Sequence, residues 1–314
     1  SGAPLAYVVV FRKYFLKFMS SVMNNRIING CAAGVNPYKE WKFLRDYLLQ
    51  NSTHVLAGDY SAFDSSEQPQ LHDAILEYIN EWYDDGDENA TVRRVLWRDL
   101  THSRHIGGDG KQNNTIYQWN HSLPSGHPAT TTCNSMYNIL LFAMCWGRIM
   151  GKHRMGEFNS YVRMVVLGDD NLASIKSSVV DKFNQTSITA VMDELHMTYT
   201  SETKDTEVAP IRTIEEVDFL KRHFREEDGY VYGALSLDTI TEMPFWCRDY
   251  KFKHQIVETN VEVALMELSA HDVAVWDEWA PKILDAYASI GRRTVVRPVR
   301  ANYQEIFRNY EPTW

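Results

Sequence analysis

Three carboxylates set the chemistry this sequence can do. Asp169 and Asp170 are adjacent, follow Gly168, and sit between the apolar runs Val165-Val166-Leu167 and Leu172-Ala173. Asp59 lies far upstream in Asp59-Tyr60-Ser61-Ala62-Phe63-Asp64, behind a second apolar run, Val55-Leu56-Ala57. Neighbouring strand residues point to opposite faces, but a glycine turn lets both members of the acidic pair converge. Brought to one place, the three would hold divalent cations over a phosphate. Carboxylate oxygens suit Mg²⁺, and two ions about 3.5–4 Å apart lower the pKa of an attacking hydroxyl and neutralise the leaving oxygens. Asp59 and Asp169 are the principal ligands in this reading, Asp170 a secondary one. A lone Gly-Asp-Asp would carry little weight, because acidic residues decorate many turns. Two acidic motifs, each behind an apolar strand, reverse those odds.

Two further groups suit substrate rather than metal. Asp64 stands five residues past Asp59, too far along to share its strand face, in the turn that follows; alone, it would serve equally well as a helix cap or Asx-turn. Ser125-Gly126 opens a helix on which Thr130 and Asn134 stand at i and i+4, presenting a hydroxyl and an amide on one face. That face suits a sugar. Ser or Thr before a helix is a routine cap, whereas an amide buried unpaired in an otherwise apolar helix is costly, so Asn134 requires a partner.

The elements that must carry these residues are visible as periodicities. Tyr7, Val10, Phe11, Tyr14, Phe15, Phe18 and Val22 recur at helical steps, with Arg12, Lys13 and Lys17 elsewhere on the same helix. A turn over 32–37 and a helix over 38–49 precede a first strand over 54–58, with Asp59 at its end. Helices are expected over 69–82 and 90–100, then a glycine-rich hairpin at His105-Ile106-Gly107-Gly108-Asp109-Gly110-Lys111 returning along 115–119. A long helix over 129–151 leads into the acidic hairpin, 161–175. Beyond it come a helix over 179–195, strands over 197–200 and 217–224, and a mostly helical remainder from Phe245, in which Trp276, Trp279 and Tyr287 have core spacing. His102 and His105 have metal-compatible spacing but no third ligand nearby, and read as structural.

At 314 residues, 44% apolar and 12% aromatic, the chain is long and apolar enough for a generous core. A formal charge of -9 excludes generic charge-driven nucleic-acid binding, so any RNA contact must be local, inside a groove. Cys31, Cys133, Cys145 and Cys247 are too scattered for a metal site or a secretory disulfide framework. With no transmembrane segment or signal peptide in view, the expectation is a soluble intracellular protein.

Asp59-x4-Asp64, Ser125-Gly126-x3-Thr130-x3-Asn134, Gly168-Asp169-Asp170 and Phe219-Leu220-Lys221-Arg222 resemble, in order and spacing, motifs A, B, C and E of the RNA-dependent RNA polymerases of picorna-like positive-strand RNA viruses. Ser125-Gly126-His127-Pro128 is closer to the insect-infecting, iflavirus- or dicistrovirus-like members. The resemblance implies an α+β fold, a right-hand polymerase: partial fingers over 1–18, palm over 19–103 and 124–225, a fingers insertion over 104–123 and a helical thumb over 226–314. It implies template-directed RNA synthesis, with Mg²⁺ or Mn²⁺ on Asp59, Asp169 and Asp170, and with Asp64, Ser125, Gly126, Thr130 and Asn134 binding the incoming ribose. A 2′-hydroxyl both donates and accepts, so an Asp/Asn pair can select it. Lys204 aligns with the motif D lysine that protonates departing pyrophosphate, although a lysine in a polar loop is usually only solvated. Strand alternation through motif E puts Leu220, Arg222 and Phe224 on one face and Lys221, His223 and Arg225 on the other, with Lys221 and Arg222 expected to contact RNA. Arg292, Arg293, Arg297 and Arg300 form a basic cluster suited to product RNA or simply to solvent.

The implied partners are an RNA template and primer, NTPs and other viral replication proteins; the implied location is the host cytoplasm, at membrane-associated replication complexes. The basic motif F that grips the triphosphate in this family is missing, as is most of the fingers, so weak or absent polymerisation by the chain alone is expected. Two alternatives stand beside this reading: a non-catalytic RNA-binding or assembly scaffold, which intact Asp59 and Asp169 disfavour, and a reverse transcriptase, which Asp64 with Asn134 disfavours.

Overall fold

The computed structural model describes residues 3–107, 115–120, 122–204, 209–247, 251, 253–291 and 298–311. It divides into two compact units, residues 1–35 with 47–213, and 36–46 with 214–314. That division differs from the five-segment expectation: the 104–123 insertion groups with the first unit, and the boundary expected at 225/226 falls inside a strand.

The first unit begins with α1 (Leu5–Asn24), whose buried stripe is Phe11, Phe15, Phe18 and Met19. Phe11 and Phe15, four apart on one face, stack with ring centroids 4.2 Å apart. The chain then passes through α2 (Trp41–Leu49), which spans the boundary between units, into β1 (Val55–Ser61), the short α3 (Phe63–Ser66), α4 (Pro69–Tyr83) and α5 (Asp87–Thr101). The expected hairpin follows as β2 (Arg104–Gly107) and β3 (Thr115–Gln118), in register Arg104 to Gln118; Gly108, Asp109, Gly110 and Lys111 of its tip lie outside the described residues. Next come α6 (Thr130–Met150), α7 (Phe158–Tyr161), β4 (Val162–Leu167), β5 (Asp170–Ile175), α8 (Gln185–Glu194) and β6 (Thr198–Ser201).

Four of these strands form one antiparallel sheet in the order β4-β5-β1-β6. One hydrophobic cluster joins Leu56 and Tyr60 of β1, Ala173 of β5, Tyr137, Phe142 and Trp146 of α6, and the phenylalanines of α1. The helix expected over 179–195 is shorter. Asn184 caps α8 by accepting from the Ser187 N–H while Ser187 Oγ accepts from the Asn184 N–H, a reciprocal capping box that starts the helix at Gln185. Among the described residues no helix is long and apolar enough to cross a membrane.

The second unit holds a three-stranded antiparallel sheet, β7 (Asp218–Phe219), β8 (Arg222–Glu227) and β9 (Tyr230–Leu235), followed by α9 (Leu237–Glu242), α10 (Lys253–Leu268), α11 (Val273–Ser289) and α12 (Arg300–Asn309). Trp41 stacks on Phe224 at 5.0 Å and lies against Gly233, where an added Cβ would come within 3.0 Å of the indole. Trp276, Ile283 and Tyr287 pack with Val261, Leu265 and Leu268, and Trp279 against them, as their spacing predicts. The continuous strand expected over 217–224 is a hairpin instead. Leu220 and Lys221 both have positive φ, 56° and 58°, and Phe219 pairs with Arg222 across them. Such a two-residue turn normally announces itself with Asn-Gly or Gly-Gly, and Leu-Lys gives no such signal.

Arg292, Arg293 and Arg297 lie outside the described residues. Arg300 hydrogen-bonds Glu227 at 2.8 and 3.2 Å. Arg300 first, then Arg225 and Gln304, hold the Glu227 carboxyl down at about 2. A carboxyl depressed on folding stabilises the protein above its unfolded value and ceases to do so as pH falls through its folded one. Glu227→Gln should therefore cost the second unit about 1–2 kcal/mol at pH 7, where about a quarter of the side chain is solvent-screened. The difference from wild type should vanish between pH 4.5 and about 2 in urea melts followed against pH. A difference independent of pH would contradict the assignment.

Candidate active site

Asp59 is the fifth residue of β1 rather than its end, because the strand continues to Ser61 by pairing with β6, Asp59 opposite Thr200. On its other side β1 pairs with β5, ending at Gly58 opposite Asn171. One step further in that register puts Asp59 beside Asp170. Residues directly opposite in an antiparallel pair share a face, so Asp59, Asp170 and Thr200 stand on one side of the sheet. Gly58 is required here by space: a Cβ would lie 2.1 Å from Tyr199 Oη, whose ring crosses the strand at this point.

β4 and β5 meet through the two-residue turn Gly168-Asp169, with Leu167 paired to Asp170. Only Gly168 of the two has positive φ, at 65°, the pattern of a type II′ hairpin. Asp169 therefore projects from the turn while Asp170 begins the strand. Burial, and then the negative charges of Asp59 and Asp64, push the Asp169 carboxyl above its ordinary range. Asp64 and Asp169, more than a hundred residues apart in sequence, line one cavity, and the β1–β5 register brings Asp59 to the same turn.

α6 clamps this turn from inside the core. Asn138 Nδ2 donates to the carbonyls of Gly168 at 3.1 Å and Asp169 at 2.8 Å, and its Oδ1 accepts from Tyr60 Oη at 3.2 Å. Ser135 Oγ accepts the Gly168 N–H at 2.9 Å and donates to the Thr131 carbonyl. Asn171 Nδ2 adds a bond to the Asp169 carbonyl, and Tyr199 Oη donates to Asn171 Oδ1 at 2.7 Å. Ser135 and Asn138 are wholly buried. Neither was singled out from the sequence, although Asn138 repeats at i+4 the same anomaly as Asn134, an amide in an apolar helix.

Above the turn opens a cavity of about 730 Å³ lined by Asp64, Ser125, Thr130, Asn134 and Asp169, with Tyr117 of β3 and Trp119 just beyond it in the wall. Asp64 lies in α3 rather than in an irregular turn, and its Oδ1 accepts from Asn134 Nδ2 at 2.8 Å. The partner that Asn134 requires is thus Asp64. Asn134 Oδ1, by contrast, is buried without a partner among the described residues. Thr130 Oγ1 donates to the Pro124 carbonyl at 2.9 Å, so its first task is to latch the loop that carries Ser125. Gly126 supplies the left-handed conformation of that loop, φ 88°. His127 Nδ1 accepts the Ala129 N–H, and burial pulls its pKa down to about 4, leaving a neutral ring edge-on to Phe11. His105 hydrogen-bonds Ser103, as befits a structural residue, yet it also lines the cavity.

Lys204 Nζ lies 3.1 Å from Asp59 Oδ2. The two motif E residues divide. Lys221 is exposed on its turn, but Arg222 is 9% exposed and its guanidinium is committed to Glu267, at 2.8 Å through both terminal nitrogens, and to the Gly233 carbonyl. The expectation that Arg222 contacts RNA is thereby corrected: the residue is half of a buried ion pair with Glu267, to whose carboxylate Tyr38 Oη also donates. Both lie in the second unit, and every other predicted site residue lies in the first.

Among the described residues no three His, Cys, Asp or Glu side chains already form a metal cluster. Mg²⁺ does not require one, since it is commonly held by one or two carboxylates completed by substrate phosphates and water. Two features fit a hard dication. The donors are all carboxylate oxygens, and Asp59 already holds a cationic side chain in Lys204.

The family model described as viral RNA-dependent RNA polymerase matches residues 1–288. The replicase polyprotein of acute bee paralysis virus (strain Rothamsted) is 37% identical over 99% of this chain and 17% of its own length. That of Drosophila C virus (strain EB) is 35% identical over 90% of this chain, again 17% of its own length. Among solved structures, a sicinivirus 3Dpol RNA-dependent RNA polymerase superposes with a TM-score of 0.79 at 19% identity, covering 98% of this chain and 61% of the other. The α+β right-hand polymerase fold expected from the motifs is the fold observed. The chain spans about a sixth of these polyproteins and about three fifths of that polymerase.

Because Tyr199 occupies the space beside Gly58, Gly58→Ala should cost about 1–3 kcal/mol or more by overpacking. Pairing it with Tyr199→Ala should make the combined loss smaller than the sum of the single losses. Additive losses in thermal or urea melts would contradict the contact.

Proposed function

This chain belongs to the viral RNA-dependent RNA polymerase family, and on that premise we propose that its site catalyses template-directed attack of an RNA 3′-hydroxyl on the α-phosphate of an NTP, with release of pyrophosphate. The observation that carries this reading is the meeting of Asp59 with the Asp169-Asp170 turn, set by the β1–β5 register and felt by Asp169 as neighbouring negative charge.

Asp59 and Asp169, with Asp170 alongside, would hold two divalent ions, Mg²⁺ or Mn²⁺, which when bound lower the pKa of the attacking hydroxyl and neutralise charge on the leaving pyrophosphate. The protein's own contribution is orientation. Asn134 Oδ1, buried and unpartnered, offers an acceptor to a ribose 2′-hydroxyl, and the Asp64 carboxylate beside it offers another. A deoxyribose would leave that acceptor unpaired, which favours RNA over DNA synthesis and argues against a reverse transcriptase. Ser125 approaches the same space on the loop latched by Thr130. Lys204 Nζ is the proton donor of this scheme, and it must leave Asp59 for that carboxylate to take up a metal ion.

No Lys or Arg lines the cavity among the described residues, so no cationic side chain in its wall supplements the metal ions around a triphosphate. Residues 1–314 alone are accordingly proposed to incorporate NTPs weakly, as electrostatic preorganisation supplies much of the rate in phosphoryl transfer. The partners in this scheme are RNA template and primer, NTPs and other viral replication proteins, in host cytoplasm at membrane-associated replication complexes.

Primer extension tests the reading, in this chain and in a full-length polymerase built around it. Asp59→Ala and Asp169→Ala should each lower incorporation by about 10³-fold or more. Asn134→Ala should reduce the preference for NTP over dNTP by about tenfold while extension continues. Extension that survives Asp169→Ala unchanged would refute the mechanism, whereas a full-length polymerase that extends no primer would favour the scaffold alternative.

A further inference from the structure

Beside the cavity wall lies a buried pair that the reaction chemistry does not use. Glu67 and His72 are 1% and 2% exposed. His72 Nε2 lies 3.1 Å from Glu67 Oε2, and the same oxygen accepts the backbone N–H of Leu123 at 3.2 Å. Glu67 follows Asp64 by three residues, at the C-terminal end of α3, and Leu123 precedes Ser125 by two. One carboxylate oxygen thus joins the segment that carries Asp64 to the loop that carries Ser125.

This is an expensive way to fill a core. Glu67 Oε1 and His72 Nδ1 find no partner among the described residues, and burial pushes the Glu67 carboxyl above its ordinary range. Apolar side chains of similar volume would pack there at lower cost, so stability alone does not account for the pair. The geometry accounts for it better. Gln68 N–H donates to Tyr137 Oη at 2.5 Å, fixing the end of α3 to α6, and the His72 and Tyr137 rings lie 5.3 Å apart. Glu67 passes that fixed point on to Leu123. On the far side of Ser125-Gly126, Thr130 latches the Pro124 carbonyl. The two residues before Ser125 are therefore tied, Leu123 to the segment that carries Asp64 and Pro124 to the helix that carries Asn134.

We propose that Glu67 is a positioning residue for nucleotide recognition, setting the Ser125-Gly126 loop through the Leu123 N–H, with His72 orienting its carboxylate. The proposal rests on the cavity being the nucleotide site. Amide hydrogen exchange on the 314-residue chain tests the brace without requiring polymerisation. In Glu67→Ala, exchange at Leu123 and across Ser125-Gly126 should accelerate by about tenfold or more, while β1, β4 and β5 keep wild-type rates. Glu67→Gln, which retains an acceptor oxygen, should restore slow exchange at Leu123, and His72→Leu should give an intermediate rise. Wild-type protection of Leu123 in Glu67→Ala overturns the proposal, as does loss of protection spread evenly over the first unit. If the alanine variant does not fold, the other two decide: faster loop exchange in Glu67→Gln than in His72→Leu would also overturn it. In a polymerase that incorporates NTPs, Glu67→Ala should raise KM for NTP by about tenfold with kcat little changed; a loss confined to kcat contradicts a role in binding. Failure of the wild-type full-length polymerase to incorporate any NTP would strike the underlying function, and the exchange data would still show whether Glu67 sets the loop.

Discussion

Concentrated negative charge is the constraint around which the first unit is built. Asp59 in β1 and Asp64 in α3 lie near Asp169 in the β4–β5 turn, whose proton affinity is raised first by burial and then by their negative charges. Left to themselves, such groups would move apart into solvent. What keeps them together is backbone: β1 is paired on both sides, with β5 and with β6, and the acidic turn is a two-residue hairpin with no slack. A cation is the natural complement of that arrangement, and Lys204 already supplies one to Asp59.

Buried hydrogen bonds hold the turn from several sides. Asn138 satisfies two turn carbonyls and is itself satisfied by Tyr60; Tyr199 and Asn171 form a second chain ending on the Asp169 carbonyl. Buried networks of this kind hold one geometry well when every member is paired, and are costly when one is not. The exceptions are therefore informative. Asn134, whose Oδ1 is buried and unpaired, lines the cavity, whereas Asn138, one turn further along α6, leaves neither amide atom unpaired among the described residues. The same helix thus clamps the turn at one level and lines the cavity at the next.

Much of this was legible in the sequence because the signals were local. Apolar runs ending in Asp59 and in Gly168-Asp169-Asp170 announced two strands and a turn, and the i, i+4 relation of Thr130 and Asn134 placed them on one face. Residues whose meaning lies in a distant partner were not legible: Ser135 and Asn138 act on a turn about thirty residues away, and Glu67 acts on Leu123, 56 residues on. Arg222 was misread for a related reason. The Leu220-Lys221 turn lacks the glycine or asparagine that marks such turns, and the charge of Glu267, 45 residues away, could not be foreseen from alternation. The shortening of α8 follows from a cap, Asn184 with Ser187, inside a stretch that reads as continuously helical.

The central claim is that Asp59 and Asp169 share a pair of divalent ions once a nucleotide is present. Anomalous diffraction from crystals grown with Mn²⁺ and a non-hydrolysable NTP measures this directly. The account predicts two peaks about 3.5–4 Å apart, bounded by both carboxylates, with Lys204 withdrawn from Asp59. Mn²⁺ bound elsewhere, with the Lys204 ammonium still seated on Asp59 and the nucleotide outside the cavity, would contradict it.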